Sequence, residues 1–294
     1  MPKSSSEASD NALQQRQQLI AAARGGDADA QCRMGDICRT GDEFTVQDYP
    51  EALRWYRLAA EQGDPNAQNN IGAMYQNGLG VPEDMTEAAK WYRRSADRGL
   101  ATAQYNLGEC CLYGTGVNVD EVEAAAWLHK AAEQGHIEAL SELGTMYLFG
   151  RGVERRIGIA AEMLTVAALD GDMNALGTLA DYHGQIEAEA LGGNLLASLS
   201  LAKVFDRGLG VEPDKAKMFA WLLWADRCPT RDSEIDVRQE QDDMRGFYGL
   251  TLPDDIKDQA WAIFNEMRAA KPSVGGTKTR RQRKAASEPD AGGH

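Results

Sequence analysis

Residues 66–99 read NAQNNIGAMYQNGLGVPEDMTEAAKWYRRSADRG. The first part sets Ala67, Ile71 and Tyr75 four apart, with Gly72 beside Ile71. Apolar and small residues at that spacing form one face of a helix. Gly78, Gly80 and Pro82 then break the pattern. Glycine enters the positive-φ conformations of a tight connection, and Val81 is placed to plug the gap between two helices. The second part carries Ala88, Trp91, Tyr92, Ser95 and Ala96 at i, i+3, i+4, i+7 and i+8. That is the stripe of a second amphipathic helix, and Gly99 follows it as a left-handed C-cap. The unit is helix A, glycine turn, helix B, stop.

The unit recurs. A Gly-x-Gly-Val turn has its second glycine thirteen residues after an alanine four times: Ala67 with Gly80, Ala103 with Gly116, Ala139 with Gly152, and Ala197 with Gly210. The anchor alanines 67, 103, 139 and 175 step by 36 residues. Helix B repeats Trp55, Trp91, Trp127 and Trp221 in one slot, and Gly26, Gly63, Gly99, Gly135, Gly171 and Gly193 each stand four residues before an anchor. Small anchors let helices approach, and the large aromatic fills the space between units. Burying such a Trp is worth roughly 3–5 kcal/mol against Ala. A period of this length describes a stack of units, and such stacks bind partners rather than transform substrates.

The segments AQNNIGAMYQNGLGV…AAKWYRRSADRG and AQYNLGECCLYGTGV…AAAWLHKAAEQG resemble SEL-one-like repeats, a subclass of the tetratricopeptide-type solenoids. The resemblance covers about residues 17–228. It implies an all-α fold: a right-handed α/α solenoid of about six helix-turn-helix repeats, with capping helices at both ends. It also implies helix A on the concave face and an adaptor or scaffold role with no shared enzymatic chemistry.

Three units depart from the pattern. The first runs from Ala30, lacks the Gly-x-Gly-Val turn, and is 37 residues long. Its Asp48 before Tyr49-Pro50-Glu51 reads as a helix start. The fourth has Met163 in the Trp slot. The fifth spans only 22 residues from Ala175 to Ala197, 14 short of the period, so its helix B is expected as a stub over 185–193. A local deletion absorbed by repacking, and a groove edge or hinge, both fit that shortening.

The repeat accounts for most of the 294 residues as one elongated body. The expected division is a disordered tail over 1–10, the solenoid over 11–228 opened by a capping helix, capping helices over 229–270, and a disordered basic tail over 271–294. No apolar run approaches the ~18 residues of a membrane span. The start lacks the apolar core of a secretory signal. Five cysteines, an odd count, suggest no disulfide framework. Cys38 and Cys111 stand where sister units have Tyr75 and Tyr147, so buried thiols are expected. The compartment reads as cytoplasmic.

No catalytic or metal constellation emerges, and no cofactor is expected. His129 falls on the polar side of a helix B, His136 at a solvent-facing position after a terminating glycine, and His183 in a packed slot. The function read from this pattern is a non-enzymatic interaction module.

In the family that the repeats resemble, ligands lie along the helix A face. That phase gives Asn66, Asn69, Ala73 and Gln76, then Thr102, Tyr105, Glu109 and Leu112, then Glu138, Ser141, Thr145 and Leu148. The first unit adds Asp29, Cys32, Asp36 and Arg39, and the sixth adds Leu196, Leu199, Lys203 and Asp206. Asn70 and Asn106 stand where related repeats grip a peptide backbone. An asparagine that only holds the helix surface is the other reading, and Glu142 and Thr178 interrupt the series. Acids outnumber bases in this set, so a protein or peptide with basic character is the expected partner, and no small-molecule substrate is expected.

The total charge is −14. Residues 271–294 hold six bases against two acids, a net of +4 that leaves −18 for the rest. Lys278, Arg280, Arg281, Arg283 and Lys284 form the basic cluster. It could fold back on the groove, contact nucleic acid or anionic lipid, or only solubilise. The alternative whole-protein reading is an inhibitor that wraps and neutralises one target.

Overall fold

The computed structural model describes residues 5–228, 245–246 and 248–270. Its helices are α1 (Ser5–Arg24), α2 (Ala28–Thr40), α3 (Tyr49–Glu61), α4 (Pro65–Asn77), α5 (Met85–Ala96), α6 (Ala101–Tyr113), α7 (Glu121–Glu133), α8 (Ile137–Phe149), α9 (Ile157–Leu169), α10 (Met173–Leu191), α11 (Leu195–Arg207), α12 (Lys215–Ala225) and α13 (Asp254–Ala270). The fold is an all-α, α/α repeat solenoid. The tail residues Lys278, Arg280, Arg281, Arg283 and Lys284, and most of the expected capping segment over 229–247, lie outside the described residues. The first helix starts at Ser5, earlier than the sequence reading placed it.

Each helix pair is set by short-range chemistry. Asp48, Asp84, Asp120 and Asp214 cap the helix B starts, each accepting from the amide of the third residue on. Their own amides donate back to helix A carbonyls, as Asp84 N does to Tyr75 O at 3.0 Å and Asp120 N to Cys111 O at 2.9 Å. The cap therefore fixes where helix B begins and also staples it to helix A.

Within a pair, a helix A glycine lies under a helix B side chain. A β-carbon on Gly72 would sit 2.7 Å from the Tyr92 ring, and one on Gly108 would sit 2.8 Å from Leu128 Cγ. Gly35 with Tyr56 and Gly144 with Leu164 repeat the arrangement. Tyr56, Tyr92, Leu128 and Leu164 are all buried. This corrects the Trp assignment in the first two units, where Trp55 and Trp91 are only half-buried. The helix B position that points at helix A is the one after the Trp. The Trp lies to the side of that line, and Arg94 rests on the Trp91 ring, 4.4 Å from its centroid.

Between pairs, the second turn glycine touches the preceding helix B. Gly116 has φ +74°, and a β-carbon there would meet Met85 O at 2.0 Å. Gly152 meets Glu121 O in the same way. Val81, Val117 and Val153 pack against the buried clusters beside them, as plugs of the inter-helix gap.

The fifth unit differs from its expected form. Helix A and the stub of helix B are one continuous helix, α10, over 19 residues. Gly184, in the stretch between them, is helical and carries no positive φ. With no left-handed residue and no proline, nothing stops the helix.

The chain divides into two compact units. The first runs to Ile186 and includes Leu209–Val211; the second holds Glu187–Gly208 and the chain from Glu212 onward. The repeat reading expected one body, and the division falls inside α10. In the second unit α12 packs on α13. The Trp224 and Phe264 rings lie 6.0 Å apart, and Ala260, Phe264 and Met267 are buried on the stripe expected for that helix. All five cysteines are buried and none is in a disulfide. Among the described residues no helix is long and apolar enough to cross a membrane, and no group of metal-binding side chains occurs.

Candidate protein-interaction surface

The helix A residues singled out by sequence divide into three groups. Asn66, Gln76, Thr102 and Glu138 are exposed. Asn69, Asn70, Ala73, Tyr105, Asn106, Glu109, Glu142 and Thr145 are half-buried. Leu112 and Leu148 are buried, as are Ser141, Cys32 and Leu199, so these five do not reach a partner. Nine residues past the anchor, apolar Leu112 and Leu148 are buried while polar Gln76 is exposed, so residue type and not position decides there. At two past it, the side chain meets the start of the following helix A: Ser141 Oγ donates to Asp172 at 2.8 Å, and Asp172 caps α10 by accepting from Ala175 N.

The asparagines bond along the face. Asn70 Nδ2 donates to Asp36 at 3.2 Å, and Asn106 Nδ2 donates to Asn69 Oδ1 at 2.9 Å. Asp36 also accepts from the Tyr56 hydroxyl at 2.7 Å and lies 3.8 Å from Arg39. In the second unit Asp206 is held by Lys215 and by the Tyr248 hydroxyl. Neither Asp36 nor Asp206 is therefore a free charge. The acids with fewer internal claims are Glu109, Glu138 and Glu142, all on α6 and α8.

Those three stand among aromatic groups. Burial raises the Glu109 carboxyl above the ordinary carboxylate range, and the charge of Glu142 adds to that, against a lowering hydrogen bond from Tyr105. The Tyr113 hydroxyl donates to Glu142 at 2.8 Å, and burial with that contact pushes its phenol up to about 12. Tyr105 stacks on His136 with ring centroids 4.7 Å apart. The sequence reading placed His136 in solvent. Instead it caps α8, with Nδ1 3.4 Å from Ala139 N and 3.3 Å from the Glu138 carboxylate. Neutral imidazole accepts the amide proton there; imidazolium donates to Glu138.

A glutamine ladder was also missed. Gln31, Gln68 and Gln104, each one past an anchor, donate to the carbonyls of Ala23, Ala60 and Ala96 at the end of the preceding helix. Gln62 and Gln134 then donate to Gln31 and Gln104. The recurrence of Gln directly after the anchor was the legible signal.

A Sel1 repeat profile matches residues 28–64, 65–100, 101–136, 137–172 and 196–223. The chain belongs to the Sel1 repeat family. The Sel1 matches skip the whole of α10, the helix left by the shortened fifth unit. A Sel1 repeat protein from Oxalobacter formigenes is similar at 31% identity and a TM-score of 0.50, over 68% of this chain and 87% of that one. A protective antigen of uropathogenic Escherichia coli strains that displays an SLR fold is similar at 26% identity and a TM-score of 0.55. That match covers 86% of this chain and 64% of the other, so this chain spans about 64% of that structure's length. No curated protein matches the sequence. Sel1 repeats are typical of protein–protein interaction and generally serve as non-catalytic scaffolds.

Proposed function

We propose that the protein is a non-enzymatic adaptor whose helix A face, centred on α6 and α8, holds a basic segment of a partner protein. The supporting observation is the group of Glu109, Glu138 and Glu142 beside Tyr105 and Tyr113, where among the described residues no lysine or arginine is paired with any of the three. A guanidinium or ammonium group would find carboxylates and aromatic faces together, an arrangement that favours cations. Amides along the same face, such as those of Asn66 and Gln76, can read peptide backbone without a sequence demand.

The test is capture from native cells with the wild-type protein and with Glu109→Lys/Glu142→Lys, followed by mass spectrometry. Partners recovered by the wild type and lost by the variant support the reading. Equal recovery by both would sink it.

A further inference from the structure

A groove of about 430 Å³ lies between α7 and α8 and the turn after α8. Val122, Ala125, Ala126, Leu143 and Val153 give it apolar walls, and His129, Lys130 and Tyr147 add its polar edge. It is a separate surface from the proposed helix A site. On α8, Leu143 and Tyr147 share one stripe and Thr145 falls on the opposite side at 100° per residue.

The internal repeat shows what this groove has lost. Positions 54, 90 and 126 are equivalent, and they read Arg54, Lys90 and Ala126. Positions 57, 93 and 129 read Arg57, Arg93 and His129. In the first unit Arg57 reaches across to donate to the Tyr75 hydroxyl at 3.2 Å, and Tyr75 is the counterpart of Tyr147. In the second, Arg93 reaches Glu123 at 2.6 Å. In the third, His129 is shorter and turns to Glu133 at 3.2 Å, while Lys130 lies over the Trp127 ring, 3.8 Å from its centroid. The counterpart of Glu123 one unit on is Ile159. All three changes remove charge or length, so the slot that two units fill with their own arginine is here open and apolar.

We propose that this groove takes one tryptophan side chain of a partner protein. The indole ring supplies the apolar body that the arginine stems supply elsewhere. Its N–H is a donor for the Tyr147 hydroxyl in the place of Arg57's donor to Tyr75. A cationic occupant is disfavoured, because Lys130 borders the slot and Ile159 replaces the carboxylate that accepts Arg93. A buried aromatic in a preformed pocket is the usual anchor of an interface.

The probe is N-acetyl-tryptophanamide, titrated into the full chain with methyl NMR detection, beside the leucine and arginine amides. The expected result is millimolar binding that shifts the Val122, Leu143 and Val153 methyls, with the leucine and arginine probes about tenfold weaker or more. Ala126→Lys and His129→Arg, which install the sister residues, should each weaken the tryptophan probe about tenfold; the folding of both is checked by circular dichroism. Glu109→Lys/Glu142→Lys should leave probe binding unchanged, which separates this site from the helix A reading. No methyl shift in the wild type, an arginine or leucine probe that binds as well, or binding that survives in folded Ala126→Lys and His129→Arg overturns the proposal.

Discussion

At the scale of single residues, the contact that closes each helix pair is a helix A glycine under the side chain that follows the Trp slot, as in Gly72 with Tyr92 and Gly108 with Leu128. Trp91 stands out by size, but Tyr92 faces Gly72 and is buried while Trp91 is half-buried. Tyr92→Ala should therefore lower stability by roughly 3–5 kcal/mol, and Trp91→Ala by less, in urea titrations of the two variants. The equal spacing of both residues on the amphipathic stripe explains why sequence could not separate them.

The glutamine ladder supports a second residue-scale prediction. Gln68 Oε1 is buried without a hydrogen-bond partner, because Arg98 stands where Gln62 and Gln134 donate in the neighbouring units. The Arg98 guanidinium lies against Gly63 instead. Arg98→Gln should supply the missing donor and raise stability by about 1 kcal/mol, read as a shift of the denaturation midpoint.

Glu109 gives a third, with a pH signature. A carboxyl raised in the folded state contributes stability that is present below its unfolded pKa and is lost as pH rises through the folded one. Glu109→Gln removes that loss, so the variant should melt higher than the wild type at neutral pH. The difference should close near pH 4, about the ordinary glutamate value. A gain that is constant across this range would show that the effect is not the carboxylate's charge.

At the scale of elements, the helix–turn–helix pattern and the cap at Asp48 followed directly from sequence, because glycine, aspartate and the 3.6 period act locally. The fused α10 did not follow. The shortage of 14 residues was visible, but whether the remainder makes a stub or continues the helix depends on the absence of a stop signal, which a repeat template does not register. The same helix yields a test of context. Gly177 and Gly184 are helical, and a β-carbon on either would meet nothing within 4 Å. Gly177→Ala and Gly184→Ala should each stabilise by about 0.5–1 kcal/mol, through helix propensity alone. Gly72→Ala, also in a helix, should destabilise by about 1–3 kcal/mol, because its new methyl enters the Tyr92 ring. Opposite signs in thermal melts of the three variants would establish that the unit glycines are packing residues; a uniform sign would refute it.

At the scale of the molecule, the charge of −14 sets two effects of salt against each other. A surplus of like charge weakens the compact state by self-repulsion, and ions screen that repulsion within a Debye length of about 8–10 Å at 0.1–0.15 M. Much of the visible pairing is short-range and partly exposed, such as Arg54 with Glu51 and Lys90 with Glu87, and contributes little for salt to remove. Raising sodium chloride from about 20 to 300 mM should therefore raise the melting temperature of the free protein. The same change should weaken capture of a basic partner, since the attraction at Glu109, Glu138 and Glu142 is screened along with the repulsion. The tryptophan probe at the α7–α8 groove carries no charge, so its affinity should hardly move. Stability rising, partner affinity falling and probe affinity holding steady is a combination that separates electrostatic recognition on helix A from apolar recognition on helix B. A partner whose binding tightened with salt would place the contact on the apolar groove instead of the acidic face.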